Sequence, residues 1–334
     1  MADTQAFSDL PRPFSVLAPM DDVTDTVFRQ IIADTAPPDL FFTEFVNVDG
    51  LMSPGRPKLL KRLQFTDKET PLIAQIWGKN PDNFEAVARE LAEQGYAGID
   101  INMGCPDKNV VRNGTCSALI NDRPLAEAII KATQKGAAGR IPVSVKTRLG
   151  FGSVDYTWHE FLLGFDLDML TIHGRTRAQM SKVPADWDAI QHVRELRDQL
   201  NARTLLVGNG DVMSAEQGRE LAEKHGLDGY MVGRGIFHDP YLFAENGPWE
   251  TMTPTARLQL YRKQVQLFAE TWKEGERAIP TLNKFCKIYV NGFDGAKEMR
   301  EELMDARSTD ELLTILDWLL PQVENVTAHS MQTS

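Results

Sequence analysis

Only three of the 334 residues are cysteine, at positions 105, 116 and 286. An odd number of thiols cannot all pair within one chain, and no CxxC or Cys/His spacing suggests zinc, so reduced thiols and no metal site are expected. Also absent is any run approaching the roughly 18 apolar residues that span a bilayer. The opening stretch, MADTQAFSDLPRPF, lacks the basic-then-apolar pattern of a secretory signal. A cytoplasmic protein without membrane contact is expected. Positive charge is scarce: 36 Lys and Arg against 47 Asp and Glu give a formal net charge of −11. That balance opposes a nucleic-acid partner, because phosphate binding draws on Lys and Arg. Net charge averages over the surface, however, whereas binding follows local potential, screened beyond roughly 8–10 Å. A nucleic-acid partner therefore requires a local basic face. Its candidates are Arg56, Lys58, Lys61 and Arg62, then Arg175, Arg177 and Lys182, then Lys284 and Lys287.

What is present is an ordinary supply of core, 42% hydrophobic residues beside 25% charged. Short β-branched or apolar runs alternate with helix-period segments, the pattern of parallel strands joined by helical crossovers. The strands expected are 14–18, 40–43, 71–76, 98–102, 142–146, 169–173, 204–208 and 229–233, with helices over 82–95, 124–136 and 214–226 among those between them. In the first helix Phe84, Val87, Ala88, Leu91 and Ala92 share a face, and Gly95 suits a left-handed cap. Eight such units suit a closed TIM (β/α)₈ barrel, whose chemistry sits at the strand C-termini. After Tyr241 the strand signal ends, a Pro- and Gly-bearing linker follows at 245–254, and 253–275 reads as amphipathic helix. The chain should therefore divide into a catalytic barrel over 1–245 and a smaller helical domain over 250–328, with a frayed tail from 327.

Several strand ends carry chemistry. Cys105 leaves the fourth strand between Gly104 and Pro106, on a turn at the catalytic rim; its thiol could attack or give a proton. Cys286 and Cys116 read as packing, Cys116 lying near Cys105. Lys146 and His173 end the fifth and sixth strands. The loops Gly208-Asn209-Gly210-Asp211 and Gly233-Arg234-Gly235 follow the seventh and eighth, where such barrels commonly seat a phosphate. Pro19, Met20 and Asp21 follow the first strand, and the Gln75 amide on the third could pair with a flat heterocycle.

In order, LAPMDDVTD, TEFV, IAQIWG, DINMGCP, VSVKTRLG, TIHGRT, GNGD and VGRG resemble the tRNA-dihydrouridine synthases over roughly residues 14–240, and the helical segment resembles that family's tRNA-binding domain. The resemblance implies a tightly bound FMN, held by Pro19, Met20, Asp21, Gln75, Lys146, His173, Asn209, Gly210, Asp211, Gly233 and Arg234. It implies NADPH as reductant and tRNA as partner, with no protein partner. It places Asn102 against the target uracil, makes Cys105 the catalytic acid that protonates C5 while hydride reaches C6, and puts Arg175 on the substrate-facing side. Arg177, Lys284 and Lys287 are the further tRNA candidates. Two positions depart from the family pattern: Thr115-Cys116 stands where a small Gly-Ala pair is frequent, and Asn47 stands where one bacterial subfamily has Arg. A D-loop uridine is the expected target. The competing expectations are another FMN barrel acting on a small pyrimidine, and a flavin-free tRNA-binding module.

Overall fold

A computed structural model describes residues 7, 9–273 and 275–332; the remaining residues of the opening stretch and the last two of the tail lie outside it. Among the described residues nine strands are present: β1 (Phe14–Leu17), β2 (Phe41–Phe42), β3 (Val46–Asn47), β4 (Leu72–Trp77), β5 (Gly98–Asn102), β6 (Val143–Arg148), β7 (Met169–His173), β8 (Leu205–Asn209) and β9 (Gly229–Val232). They run in the order β1-β9-β8-β7-β6-β5-β4-β2, with β3 also on β4. A parallel bridge between Val16 and Leu40 closes the ring. This is the expected (β/α)₈ barrel, one observed position for each expected strand.

Two strands differ from expectation by more than one residue at either end. The second is split: Phe41 faces Leu72, whereas Val46 faces Ile76, so five steps on one strand answer four on the other. The extra residue makes a bulge around Thr43–Phe45. Glu44, fully buried there, accepts from the Asp22 amide at 2.8 Å. The fifth, observed as β6, runs two residues beyond Lys146, to Arg148. A charged side chain ends a strand only if it must reach water, and Arg148 instead finds carbonyl partners inside.

Apolar side chains from β1, β4, β7, β8 and β9 fill the lower barrel: Phe14, Val16, Ile73, Met169, Val207 and Met231. Outside it, the helix Pro81–Leu91 is capped by Asn80 and buries Phe84, Val87, Ala88 and Leu91, while Gly95 is left-handed at φ 83. This helix packs tightly on the helix Arg123–Ala137. At Gly136 an added methyl would overlap the Glu85 carbonyl and approach the Ala88 methyl to 2.8 Å. Gly136→Ala is therefore expected to lower stability by about 1–3 kcal/mol, read as a fall in Tm, despite alanine's better helix propensity. An unchanged or raised Tm would contradict this close helix packing.

The second compact unit comprises Val27–Ala36 and Ile236–Ser334, and the first Met1–Thr26 with Pro37–Gly235. Most of the helix after β1, Thr26–Thr35, thus belongs to the second unit. There Phe28 stacks on Phe285 at 5.0 Å, and Lys263 pairs with Asp34 at 2.7 Å. The 245–254 segment is ordered around buried Trp249, over whose ring Arg257 lies at 4.4 Å. The helix expected over 253–275 runs from Pro254 to Thr271, and the last helix, Thr309–Gln332, takes in most of the tail.

Candidate active site

Strand register selects the side chains that share the barrel mouth. Gln75 lies beside Asp100, Asn102 beside Lys146, Arg148 beside His173, and His173 beside Asn209. Gln75, His173 and Asn209 lie two or four positions along their strands from Ile73, Met169 and Val207, side chains two apart point to the same face, and Asp100 and Arg148 stand beside them in register. The interior is therefore apolar at the base and polar toward the strand C-termini.

The polar part is wired. Asp100, fully buried, accepts from Ser144 Oγ at 2.6 Å and from Gln75 Nε2 at 2.7 Å. Burial raises its carboxyl to about 6. Gln75 Oε1 in turn accepts from Asn102 Nδ2 at 3.0 Å. Asn102 Oδ1 then accepts from the amides of Gly104 and Cys105, each at 3.0 Å. An acceptor-only carboxylate at the base fixes which way both amides face, and so the Cys105 turn.

Arg148 holds the same turn from the other side. Its Nε donates to the Gly104 carbonyl at 2.7 Å, and its Nη1 to the carbonyls of Thr176 at 3.2 Å and Met180 at 3.1 Å. Burial pulls its pKa down to about 10. Cys105 itself is half-buried and is lowered to about 7, first by a hydrogen bond with Cys116 and with further help from Arg148, against burial. Cys286 is wholly buried and raised to about 11 by desolvation.

Around His173 the charge is one-sided. Burial, then Lys146, Arg148, Arg175 and Arg234, hold its pKa well below the usual imidazole range, so the ring is neutral. Lys146 Nζ donates to Asn209 Oδ1 at 3.0 Å, and Asn209 Nδ2 to the Met231 carbonyl at 2.9 Å. Burial and then Arg148 depress Lys146 to about 8. Arg175, only 3% exposed, faces inward: it contacts His173 Nε2 at 3.1 Å and pairs with Asp211. Asp211 also accepts from the Ala185 amide at 2.8 Å. Gly210 has φ 131, and a methyl there would meet Ala185 Cβ at 2.7 Å, so this turn requires glycine. Beside Gly233 the nearest atom to an added methyl is Ala18 Cβ at 3.9 Å, leaving room for a ligand's approach. Arg234 projects outward, with 66% of its side chain exposed.

The remaining candidates are placed differently. Pro19 and Met20 are half-buried after β1, with the Met20 amide donating to Thr24 Oγ1 at 2.9 Å. Asp21 pairs with Arg62, which also pairs with Glu44 at 3.0 Å and Asp22 at 3.5 Å. Burial raises the Asp21 pKa despite that cation. Arg62 is thus engaged by acids rather than offered to phosphate, and Arg56 likewise pairs with Glu90. Arg177 lies over the Phe151 ring at 5.3 Å. Lys284 and Lys287 belong to the second unit, Lys284 with Nζ 5.8 Å from the Phe285 ring and Lys287 exposed. Sequence reasoning missed Asp100 and Arg148, although both sit in the two-residue alternation with Asn102 and Lys146 that would have found them.

Residues 16–325 match the family described as Dihydrouridine synthase (Dus). A "Probable tRNA-dihydrouridine synthase" of Staphylococcus aureus (strain COL) is 45% identical over 321 residues, covering 95% of this chain and 96% of that protein. A "Probable tRNA-dihydrouridine synthase 2" of Bacillus subtilis (strain 168) is 47% identical over 313 residues, 92% and 94% of the two chains. Among solved structures, a morphinone reductase in complex with tetrahydroNAD is similar at a TM-score of 0.49 and 12% identity, over 74% of this chain and 92% of that one.

Proposed function

Because the chain belongs to the dihydrouridine synthase family, we propose that it is a flavin-dependent oxidoreductase that reduces the C5=C6 bond of uridine in tRNA, with FMN as cofactor, NADPH as reductant and Cys105 as general acid. One observation carries the reading: a half-buried thiol lowered to about 7 shares the barrel mouth with a neutral imidazole surrounded by Lys146, Arg148, Arg175 and Arg234.

The residues fit an anionic, planar prosthetic group. Lys146 makes no ion pair among the described residues, and its depressed pKa marks a cation short of an anion. The open space beside Gly233 allows close backbone approach, as a phosphate after the last strands of such a barrel requires. When bound, the flavin would supply the hydride for C6. Lys146, Asn209, His173, Gly210, Gly233 and Arg234 would hold it. Arg175 and Asp211 would brace the loop, while Pro19, Met20 and Asp21 after β1 and Gln75 on β4 would bound the site at those two strands.

Cys105 delivers the proton to C5, where charge builds as hydride arrives at the neighbouring carbon. A thiol with pKa near 7 suits that task at neutral pH, being both substantially protonated and a good enough acid. Asn102 has one amide hydrogen on Nδ2 left after its bond to Gln75, which suits a carbonyl of the target base. Drawing the base out of the tRNA costs a few kcal/mol, so a loop uridine is the favoured substrate. Arg177, Lys284 and Lys287 would contribute to phosphate contacts, offsetting locally the net charge of −11.

A D-loop uridine is the target within this reading. In tRNA from a strain lacking the gene, D-loop dihydrouridine should disappear at one or more positions and return on complementation. Unchanged D-loop positions would end that assignment.

A further inference from the structure

We propose that Phe151 and Arg177 form a stacking platform for an unpaired nucleobase of the tRNA beside the target uridine, the Arg177 guanidinium lying between the Phe151 ring and that base. The inference rests on tRNA being the substrate, as proposed above. It starts from two loops at the strand C-termini, 149–155 after β6 and 174–186 after β7. At Gly150 an added methyl would overlap the Ser153 carbonyl, so the chain can turn back there only with glycine. The two loops are then zipped together. The Leu149 amide donates to the Arg175 carbonyl at 3.1 Å, the Arg177 amide to the Gly150 carbonyl at 2.8 Å, and the Ala178 amide to the Phe151 carbonyl at 2.9 Å. Both backbones are thereby fixed, and the Arg177 guanidinium is set over the Phe151 ring, 5.3 Å from its centroid.

Arg177 is half-buried, yet no acid among the described residues pairs with it, and its Nε has no hydrogen-bond partner there. Arg62 and Arg175, by contrast, are both engaged by carboxylates. A guanidinium backed by an aromatic ring and left without an acid is a planar cation, and a nucleobase of any identity stacks on such a plane. Its charge still serves the phosphate contact proposed above; the stacking face is the added element. The surroundings suit RNA. Lys182, exposed on the same loop, adds positive charge, and Met180 and Val183 offer exposed apolar cover. Position selects which base is met. Arg148 donates to the Gly104 carbonyl and to the carbonyls of Thr176 and Met180, so one side chain ties the loop bearing Arg177 to the Cys105 turn. A nucleotide next to the extruded uridine loses a stacking neighbour when that base leaves, and a platform here replaces it, offsetting part of the cost of extrusion.

Binding of end-labelled tRNA from a strain lacking the gene to the holoenzyme, followed by fluorescence anisotropy at several salt concentrations, tests the platform. Phe151→Leu keeps the bulk and loses the ring; Arg177→Lys keeps the charge and loses the plane. Each should weaken binding about tenfold and leave the dependence of log Kd on log salt unchanged. Arg177→Ala should in addition reduce that slope by about one, as removal of a phosphate contact does. Phe151→Tyr, which restores a ring, should bind as the wild type does. Wild-type affinity in both Phe151→Leu and Arg177→Lys, whatever their Tm, would overturn the proposal, as would a loss in Phe151→Tyr equal to that in Phe151→Leu. Failure of the tRNA reading itself would look different, because the wild-type holoenzyme would then not bind tRNA at all, and both proposals would fall together.

Discussion

Cys105→Ala should keep its flavin and its reduction by NADPH, yet form dihydrouridine about 10²–10⁴-fold more slowly, the usual contribution of a positioned general acid. The substitution removes a sulfur from a half-exposed turn. It leaves untouched the bonds that shape that turn: Asn102 Oδ1 to the backbone amides of Gly104 and Cys105, and Arg148 to the Gly104 carbonyl. Folding and cofactor retention should therefore survive. Hydride arrival at C6 places negative charge on the adjacent carbon, and without a proton at that carbon the transfer is uphill and reverses. Single-turnover mixing of the reduced variant with unmodified tRNA, with nucleosides counted by mass spectrometry, measures the loss. Wild-type rates in the variant would remove Cys105 from the chemistry.

Lys146→Ala should release the flavin. The amine has one neutral partner, Asn209, and shares the surroundings of His173 with two further inward cations, Arg148 and Arg175. In that setting an anion gains more from Lys146 than from any exposed lysine, since burial limits screening. Loss of one hydrogen bond to a charged group costs about 1.5–3 kcal/mol, which corresponds to about 10- to 150-fold weaker retention. The sign with pH follows from the same residue. Its pKa is depressed to about 8, so the empty site attracts an anion below that pH and progressively less above it. Retention by the wild type should weaken as pH rises through about 8, whereas Lys146→Ala should show a flatter dependence. Flavin absorbance after dialysis at a series of pH values measures both, and a variant that stays fully loaded would contradict this role.

Much of the barrel was legible because burial writes a clear pattern. Strands such as Gly98–Asn102 and Met169–His173 coincide with their expected spans, since runs of apolar residues covered by helices leave little ambiguity. The split second strand was not legible. Nothing in TEFV signals that a buried Glu44 will be satisfied by the Asp22 amide and by Arg62 rather than by water. Arg148 was hidden in a similar way, because the charge of Lys146 read as the end of its strand, whereas Asp100 lay within its expected strand and was recoverable from its alternation with Asn102. Arg62 and Arg175 illustrate the converse. Both belong to sequence clusters that look basic, yet one faces three carboxylates and the other turns inward to Asp211. Long-range pairing decides whether a charge is available, and the linear sequence does not carry it.

The electropositive mouth also explains how an acidic chain can suit a polyanionic substrate. Some of its acids are committed to local partners, as in Glu90 with Arg56 and Asp228 with Arg197, while Lys146, Arg148 and Arg175 act on the His173 ring.

Chemical reduction of the purified protein under anaerobic conditions, followed by addition of unmodified tRNA, reads the whole arrangement at once. Visible flavin absorbance should return on mixing, with one dihydrouridine formed per flavin, and should not return at a comparable rate with free uracil or dihydroorotate. A colourless protein, or a reduced one reoxidised by free pyrimidine as readily as by tRNA, would contradict the assignment.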